Sequence, residues 1–107
     1  MNAHGVRRFL AGFAATLVVS AAVSAQSLSA DSPSIRLIAA TCQTCHGVEG
    51  RAQGVGLRLV GQGAAELERK LIGFRNGTLP GTVMPRHAKG YSEAELKALA
   101  EYFGRFK

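Results

Sequence analysis

The stretch that decides the fold of this 107-residue chain is TCQTCHG, residues 41–47. It places Cys42, Cys45 and His46 within five positions. Three kinds of site use such a cluster: a redox-active disulfide, a structural zinc site and a covalently attached haem. Each kind needs different support from the rest of the sequence, so the rest of the sequence decides between them.

A redox pair of the thioredoxin type follows a β-strand and lies at the start of a helix, where the helix dipole lowers the thiol pKa. Here the sequence predicts the pair at the end of a helix, and no segment alternates as a half-buried strand does. A zinc site needs four ligands. Beyond the first 25 residues, the chain has no further cysteine and His87 is its only other histidine. The sequence therefore supports neither a redox-active pair nor a zinc site.

Cys-x-x-Cys-His is the signature of haem c attachment. Two thioethers fasten one edge of the macrocycle, and the adjacent histidine brings its imidazole to one face of the iron. We therefore predict that Cys42 and Cys45 hold one haem covalently and that His46 is an axial ligand of the iron. The other ring nitrogen of His46 should donate to a backbone carbonyl, for which the loop GVGLRL, residues 54–59, is the expected source.

The second axial ligand is predicted to be Met84, the only methionine beyond the first 25 residues. Pro85 follows it directly and makes this part of the loop rigid enough to hold a thioether at a fixed distance. His87 is the alternative ligand. Histidine–methionine ligation gives a higher reduction potential than ligation by two histidines.

The helices begin and end at recognisable signals. Ser32 precedes Pro33 as an N-cap, Ser92 and Glu95 have the spacing of a capping box, and Asn76-Gly77 is typical of a helix C-terminus. These signals and the spacing of apolar residues predict helices at residues 33–44, 64–75 and 92–103.

The segments between these helices, residues 47–63 and 77–91, are rich in glycine or proline and predict long loops without helices or strands. Leu57, Leu59 and Val60 are expected to face buried surroundings. Two loops of this length are unusual in a small domain, but they suit a chain that surrounds a large apolar cofactor. The predicted fold is all-α, with three main helices and two long loops wrapped around one covalent haem.

The N-terminus has the pattern of a secretory signal peptide, residues 1–25, with a basic pair before the apolar run 9–19. A membrane anchor is the alternative, although a bilayer needs about 20 apolar residues. Cleavage leaves a flexible segment, residues 26–33, followed by a domain, residues 34–107. The cleaved protein is expected in the periplasm, without stable insertion in a membrane. The formal charge falls from +6 to +4, and the absence of a basic run argues against nucleic acid as a partner.

Three stretches carry a resemblance to a known family: CQTCHGVEGR at 42–51, LERKLIGFRNG at 67–77 and TVMPRHAKGYSEAELKALAEYF at 82–103. Together they resemble class I c-type cytochromes, and more narrowly the haem subunit of flavocytochrome c sulfide dehydrogenases. Members of that group typically carry a Met-x-x-x-Ala-Lys-Gly-Tyr stretch, which residues 84–91 match. The match covers essentially the whole chain beyond its signal peptide.

This resemblance implies a periplasmic electron acceptor bound to an FAD-containing subunit that oxidises sulfide. By position, it assigns the covalent haem to Cys42 and Cys45 and the iron to His46 and Met84. The family usually has a proline in a P-x-L context whose carbonyl accepts the histidine's hydrogen bond, and we expect Arg58 at that proline's position.

Two other functions stay open. One is a free shuttle cytochrome that serves another dehydrogenase or a terminal oxidase, and the other is a haem enzyme with an open iron position, against which Met84 argues. Around the second loop, Arg75, Arg86 and Lys89 are expected either to neutralise haem propionates, to contact a partner or to remain solvated. Tyr91 is expected either to donate to a propionate or to fill the core.

Overall fold

The computed structural model describes residues 28–107, and all regular structure within them is helical. The expected all-α class is confirmed, and each of the three main helices begins and ends within two residues of its predicted bounds. The predicted signal peptide, residues 1–25, lies outside the described residues. No helix in the described part is long and apolar enough to cross a membrane. The elements are α1 at Pro33–His46, a 3₁₀ turn at Val48–Gly50, α2 at Ala64–Asn76, α3 at Met84–Ala88 and α4 at Glu93–Gly104.

The predicted helix signals are present as hydrogen bonds. The Ser32 hydroxyl accepts the Ile35 N–H at 3.3 Å, at the start of α1. At the start of α4, the Ser92 hydroxyl accepts the Glu95 N–H at 3.2 Å, while the Glu95 carboxylate accepts the Ser92 N–H at 2.8 Å. Gly77 ends α2 in the left-handed conformation, with φ of 77°. Each bond satisfies a helix-terminal group that would otherwise lack a partner.

The expectation of two loops without helices is wrong in two places. Met84–Ala88 forms the short helix α3 inside the second loop, and Val48–Gly50 forms a 3₁₀ turn in the first. Pro85 lies in the first turn of α3, where its fixed φ suits a helix and its missing N–H costs nothing. The proline and glycine content of this segment predicts an irregular loop, whereas Pro85 begins a helical turn.

Helix α4 lies at the centre of the fold and packs against both α1 and α2. Its last residue, Gly104, is so close to the start of α2 that a Cβ there would collide with the backbone of Ala64. This close approach lets α2 and α4 bury their apolar faces on one another, and α1 packs on α4 as well. The buried cluster comprises Ile35, Ala39, Leu67, Ala88, Leu96, Ala98, Leu99, Ala100 and Phe103.

The first described residues contact the end of α4. Ala30 is buried, and the Asp31 carboxylate accepts from the Arg105 guanidinium at 2.8 Å. The same guanidinium lies 5.0 Å from the centre of the Tyr102 ring. This part of segment 26–33, which we expected to be flexible, is therefore placed against the C-terminal helix.

Candidate haem site

Cys42, Cys45 and His46 lie in the last turns of α1, as predicted. Residues three and four apart are neighbours on a helix surface, so Cys42 is adjacent to both of the others. Cys42 is half-buried against the core, and this burial raises the pKa of its thiol. Cys45 is exposed. A helix C-terminus disfavours a thiolate, so the position of this pair does not suit a redox disulfide of the thioredoxin type.

His46 is the buried polar side chain of the described residues, with 8% of its surface exposed. Its Nδ1 lies 2.5 Å from the backbone oxygen of Leu57. A carbonyl oxygen only accepts, so Nδ1 carries the proton and donates it to this bond. In the neutral imidazole with this tautomer, Nε2 is the nitrogen with a free lone pair, which is the form that binds a metal.

This hydrogen bond confirms that the loop 54–59 supplies the carbonyl, but it corrects the expected register. The acceptor is Leu57, whereas we expected Arg58 at the position of the family's proline. With Leu57 at that position, Leu57-Arg58-Leu59 keeps the spacing of P-x-L. The resemblance described above then implies leucine in place of its usual proline.

Gly50 holds this loop against the end of α1. Its carbonyl accepts two successive N–H groups from the far side of the loop, those of Leu59 at 2.9 Å and Val60 at 3.1 Å. Gly50 has a φ of +76°, and a Cβ on it would lie 2.7 Å from the Cβ of Leu59. A glycine is thus needed both for the backbone conformation and for the space. The result is that the Leu57 carbonyl reaches His46 across 11 residues of sequence.

The apolar residues of the first loop do not all behave as expected. Val60 is buried and Leu59 packs against the core, which confirms the prediction for these two. The prediction for Leu57 is wrong, because the Leu57 side chain is exposed. At this position the backbone carbonyl, rather than the side chain, makes the contact with the interior of the fold.

Met84 is half-buried and is the first residue of α3, so it lies on a different element from the other three predicted site residues. His87 is on the same short helix and is exposed. Ala88 anchors α3 in the buried cluster. Pro85 packs so closely on Gly81 that a Cβ at Gly81 would lie 3.0 Å from its ring. These contacts fix the start of α3, from which the Met84 side chain extends.

The four residues around the second loop that are expected near propionates or a partner differ in burial. Arg86 and Lys89 are exposed, whereas Arg75 and Tyr91 are half-buried. The Nε of Arg75 is shielded from solvent and has no hydrogen-bond partner within residues 28–107. Sequence reasoning gave Arg75 no distinction from the other two cations, because only the tertiary structure determines its burial.

The chemistry of these groups fits a haem. Cys42 and Cys45 are two thiols in adjacent turns, and the buried His46 has Nε2 free because Nδ1 is engaged. A haem brings two vinyl groups with which the thiols can form thioethers, and an iron to which the imidazole can bind.

The model of the family described as "Cytochrome C oxidase, cbb3-type, subunit III" matches residues 34–103. The chain belongs to this family of cytochrome c domains. It is a cytochrome c electron-transfer protein, and its family binds haem c covalently. The expected class I cytochrome c fold and the expected covalent haem c are thereby confirmed.

Individual relatives agree with this assignment. The chain is 41% identical over 68 residues to "Cytochrome subunit of sulfide dehydrogenase" of Chlorobaculum tepidum, across 64% of this cytochrome and 62% of the relative. It is 41% identical over 70 residues to cytochrome c-553 of Nitratidesulfovibrio vulgaris, across 61% and 69%. It is 33% identical over 75 residues to cytochrome c-553 of Helicobacter pylori, across 68% and 78%. The cytochrome therefore matches less than two thirds of the length of the first of these relatives.

Proposed function

We propose that this cytochrome is a periplasmic electron carrier that accepts electrons from an FAD-containing sulfide dehydrogenase subunit. The observation that supports this most is the 41% identity to a cytochrome subunit of sulfide dehydrogenase. The stretch MPRHAKGY, residues 84–91, adds to it because it matches the pattern typical of that group. The geometry of the complex is not carried over, since the match spans 62% of that relative.

Within this function, Cys42 and Cys45 would attach the haem covalently, and His46 and Met84 would bind its iron. The bound haem supplies a centre that gains and loses one electron. The hydrogen bond from Nδ1 to the Leu57 carbonyl fixes the imidazole ring and increases its basicity, which favours the oxidised iron. The Met84 thioether acts in the opposite direction and raises the reduction potential. These residues together set the potential at which the protein exchanges electrons.

The ligand assignment is tested with the haem-loaded protein and two single variants. Met84→Ala should abolish the weak red absorption band of a methionine bond to ferric iron and lower the reduction potential. His87→Ala should leave both unchanged, because its side chain is exposed. The reverse pattern would assign the second axial position to His87 and overturn the assignment of Met84.

The partner is tested in cells that express the cytochrome at its natural level. Affinity purification should recover an FAD-containing protein, and sulfide added to the pair should reduce the haem. Recovery of the cytochrome without any flavoprotein would reject the subunit function. Binding of CO to the native ferrous protein would indicate an open iron position and therefore an enzyme.

The periplasmic location rests on the signal-peptide pattern of residues 1–25. The mass of the protein isolated from the periplasmic fraction should correspond to a chain that begins at Gln26 and carries one haem. A chain that retains residues 1–25 and sediments with membranes would support the anchor instead.

A free shuttle cytochrome is the second candidate. It is supported by the relatives named cytochrome c-553 and by the family description, which names an oxidase subunit. The affinity purification separates the two candidates, because a shuttle would be recovered without a permanent flavoprotein partner.

A further inference from the structure

Arg58 lies between two backbone carbonyls that bond to different side chains. The carbonyl before it, that of Leu57, accepts the Nδ1–H of His46 at 2.5 Å. The carbonyl of Arg58 itself accepts from the side-chain amide of Gln62 at 2.8 Å. Because peptide bonds are planar, only the φ and ψ angles of Arg58 separate these two carbonyls. Whatever holds the Arg58 carbonyl therefore also limits the direction of the Leu57 carbonyl.

The peptide plane between Arg58 and Leu59 is held at both edges. Its N–H, that of Leu59, donates to the Gly50 carbonyl at 2.9 Å. Its C=O, that of Arg58, is held by Gln62. The C=O and the N–H of a trans peptide lie on opposite edges of the plane. One bond alone would act as a hinge, whereas bonds at opposite edges fix the plane.

Lys70 of α2 sets the orientation of the Gln62 amide. The Lys70 ammonium donates to Gln62 Oε1 at 2.6 Å. An ammonium has only donors and a carbonyl oxygen only accepts, so a single orientation of the amide satisfies both partners, with its NH₂ group towards Arg58. Glu66 also contacts the ammonium, at 3.4 Å. These contacts connect the first loop to α2, which packs against α4.

We propose that Gln62 is a positioning residue for His46. By holding the Arg58 carbonyl, Gln62 leaves the Leu57 carbonyl as the one that meets the imidazole. This inference rests on the proposed function, in which His46 binds the haem iron. The bond from Nδ1 makes the imidazole more basic and favours the oxidised iron. Gln62 therefore lowers the reduction potential of the bound haem, and it acts through the loop backbone rather than through contact with the ring.

The test compares the haem-loaded variants Gln62→Leu and Gln53→Leu. Leucine is similar in size to glutamine but has no amide, and Gln53 is an exposed glutamine of the same loop. The reduction potential of Gln62→Leu should rise above the wild-type value, because the imidazole becomes less basic. The Nδ1–H proton of His46 should also exchange faster with solvent, which NMR of the reduced protein with isotope-labelled histidine measures. Gln53→Leu should match wild type in both measurements.

Wild-type values of both quantities in Gln62→Leu would overturn the inference while leaving the haem and its ligands intact. Failure of the wild-type protein to bind haem would instead overturn the proposed function, so the two failures are distinguishable.

If Gln62→Leu does not retain haem, Gln62→Glu decides, with Gln53→Glu as the control that adds the same charge. Glutamate keeps the size and the contact with Lys70, but its ionised carboxylate has no donor for the Arg58 carbonyl. The Nδ1–H of His46 should exchange faster in Gln62→Glu than in Gln53→Glu. Equal exchange rates would contradict the positioning role of Gln62.

Discussion

Replacing Gly50 with alanine perturbs the loop that brings the Leu57 carbonyl to His46. The added Cβ would lie 2.7 Å from the Cβ of Leu59, at a backbone φ of +76°. A left-handed conformation costs a residue with a side chain about 1–2 kcal/mol. An overpacked contact costs about another 1–3 kcal/mol, because Leu59 is held against the core and is not free to move away. We expect Gly50→Ala to lower the free energy of unfolding by about 2–5 kcal/mol.

Gly77 provides the matched control. Its φ is +77°, but nothing lies within 4 Å of an added Cβ. Gly77→Ala should therefore show only the conformational cost of about 1–2 kcal/mol. Urea unfolding of the haem-loaded proteins, followed by circular dichroism, measures both values.

The reduction potential separates a general loss of stability from an effect on the site. If Gly50→Ala moves the loop, the bond from His46 to Leu57 weakens, the imidazole becomes less basic and the potential rises. Gly77→Ala should leave the potential unchanged. Equal losses of stability in the two variants would refute the contact with Leu59. An unchanged potential in a destabilised Gly50→Ala would refute the role of Gly50 in positioning the carbonyl.

Leu96→Ala should lower the free energy of unfolding by about 2–5 kcal/mol, because Leu96 is 1% exposed. The control variant Leu37→Ala should change it by about 0.5 kcal/mol or less, because Leu37 is 71% exposed. Similar losses of stability for the two variants in thermal unfolding would contradict the burial of Leu96 in the core. Ser92→Ala removes the capping box of α4 and should cost about 1 kcal/mol, and an unchanged stability in urea unfolding would show that the cap is unimportant. Hydrogen bonding from Arg69 lowers the pKa of the exposed Glu66 from 4.5 to about 2. The stabilisation that ionised Glu66 contributes should therefore be complete above pH 4.5 and disappear as the pH falls towards 2. The free energies of unfolding of wild type and Glu66→Gln should converge in acid. A difference in the free energy of unfolding that stays constant between pH 6 and pH 2.5 would contradict the contribution of the Glu66–Arg69 pair.

The sequence predicted best those features that depend on neighbours in the chain. Ser32 and the pair Ser92 and Glu95 bond to backbone groups within three residues, so their positions already indicate where α1 and α4 begin. The spacing of Cys42, Cys45 and His46 on one helix follows from the helical repeat. These predictions hold because the interacting atoms are joined by one turn of backbone.

The errors arose where the same residues permit two local structures. Pro85 suits an irregular loop and also the first turn of a helix, and the burial of Ala88 favours the helix α3. Arg58 and Leu57 are adjacent, and the sequence does not state which carbonyl turns towards His46. The two hydrogen bonds to Gly50 determine this, and they form only when the loop folds back on itself.

The sequence alone thus predicted the helical class, the ends of the three main helices to within two residues and the grouping of Cys42, Cys45 and His46 on one helix, since each depends on contacts within a few positions. Only the tertiary structure decided that Leu57 bonds to His46 and that Gly104 contacts the start of α2. It also decided that the Nε of Arg75 is shielded from solvent and has no acceptor in the part of the chain that the structure describes, unlike the exposed Arg86 and Lys89. These features depend on which distant segments exclude water from one another, and burial of this kind is a property of the packed fold.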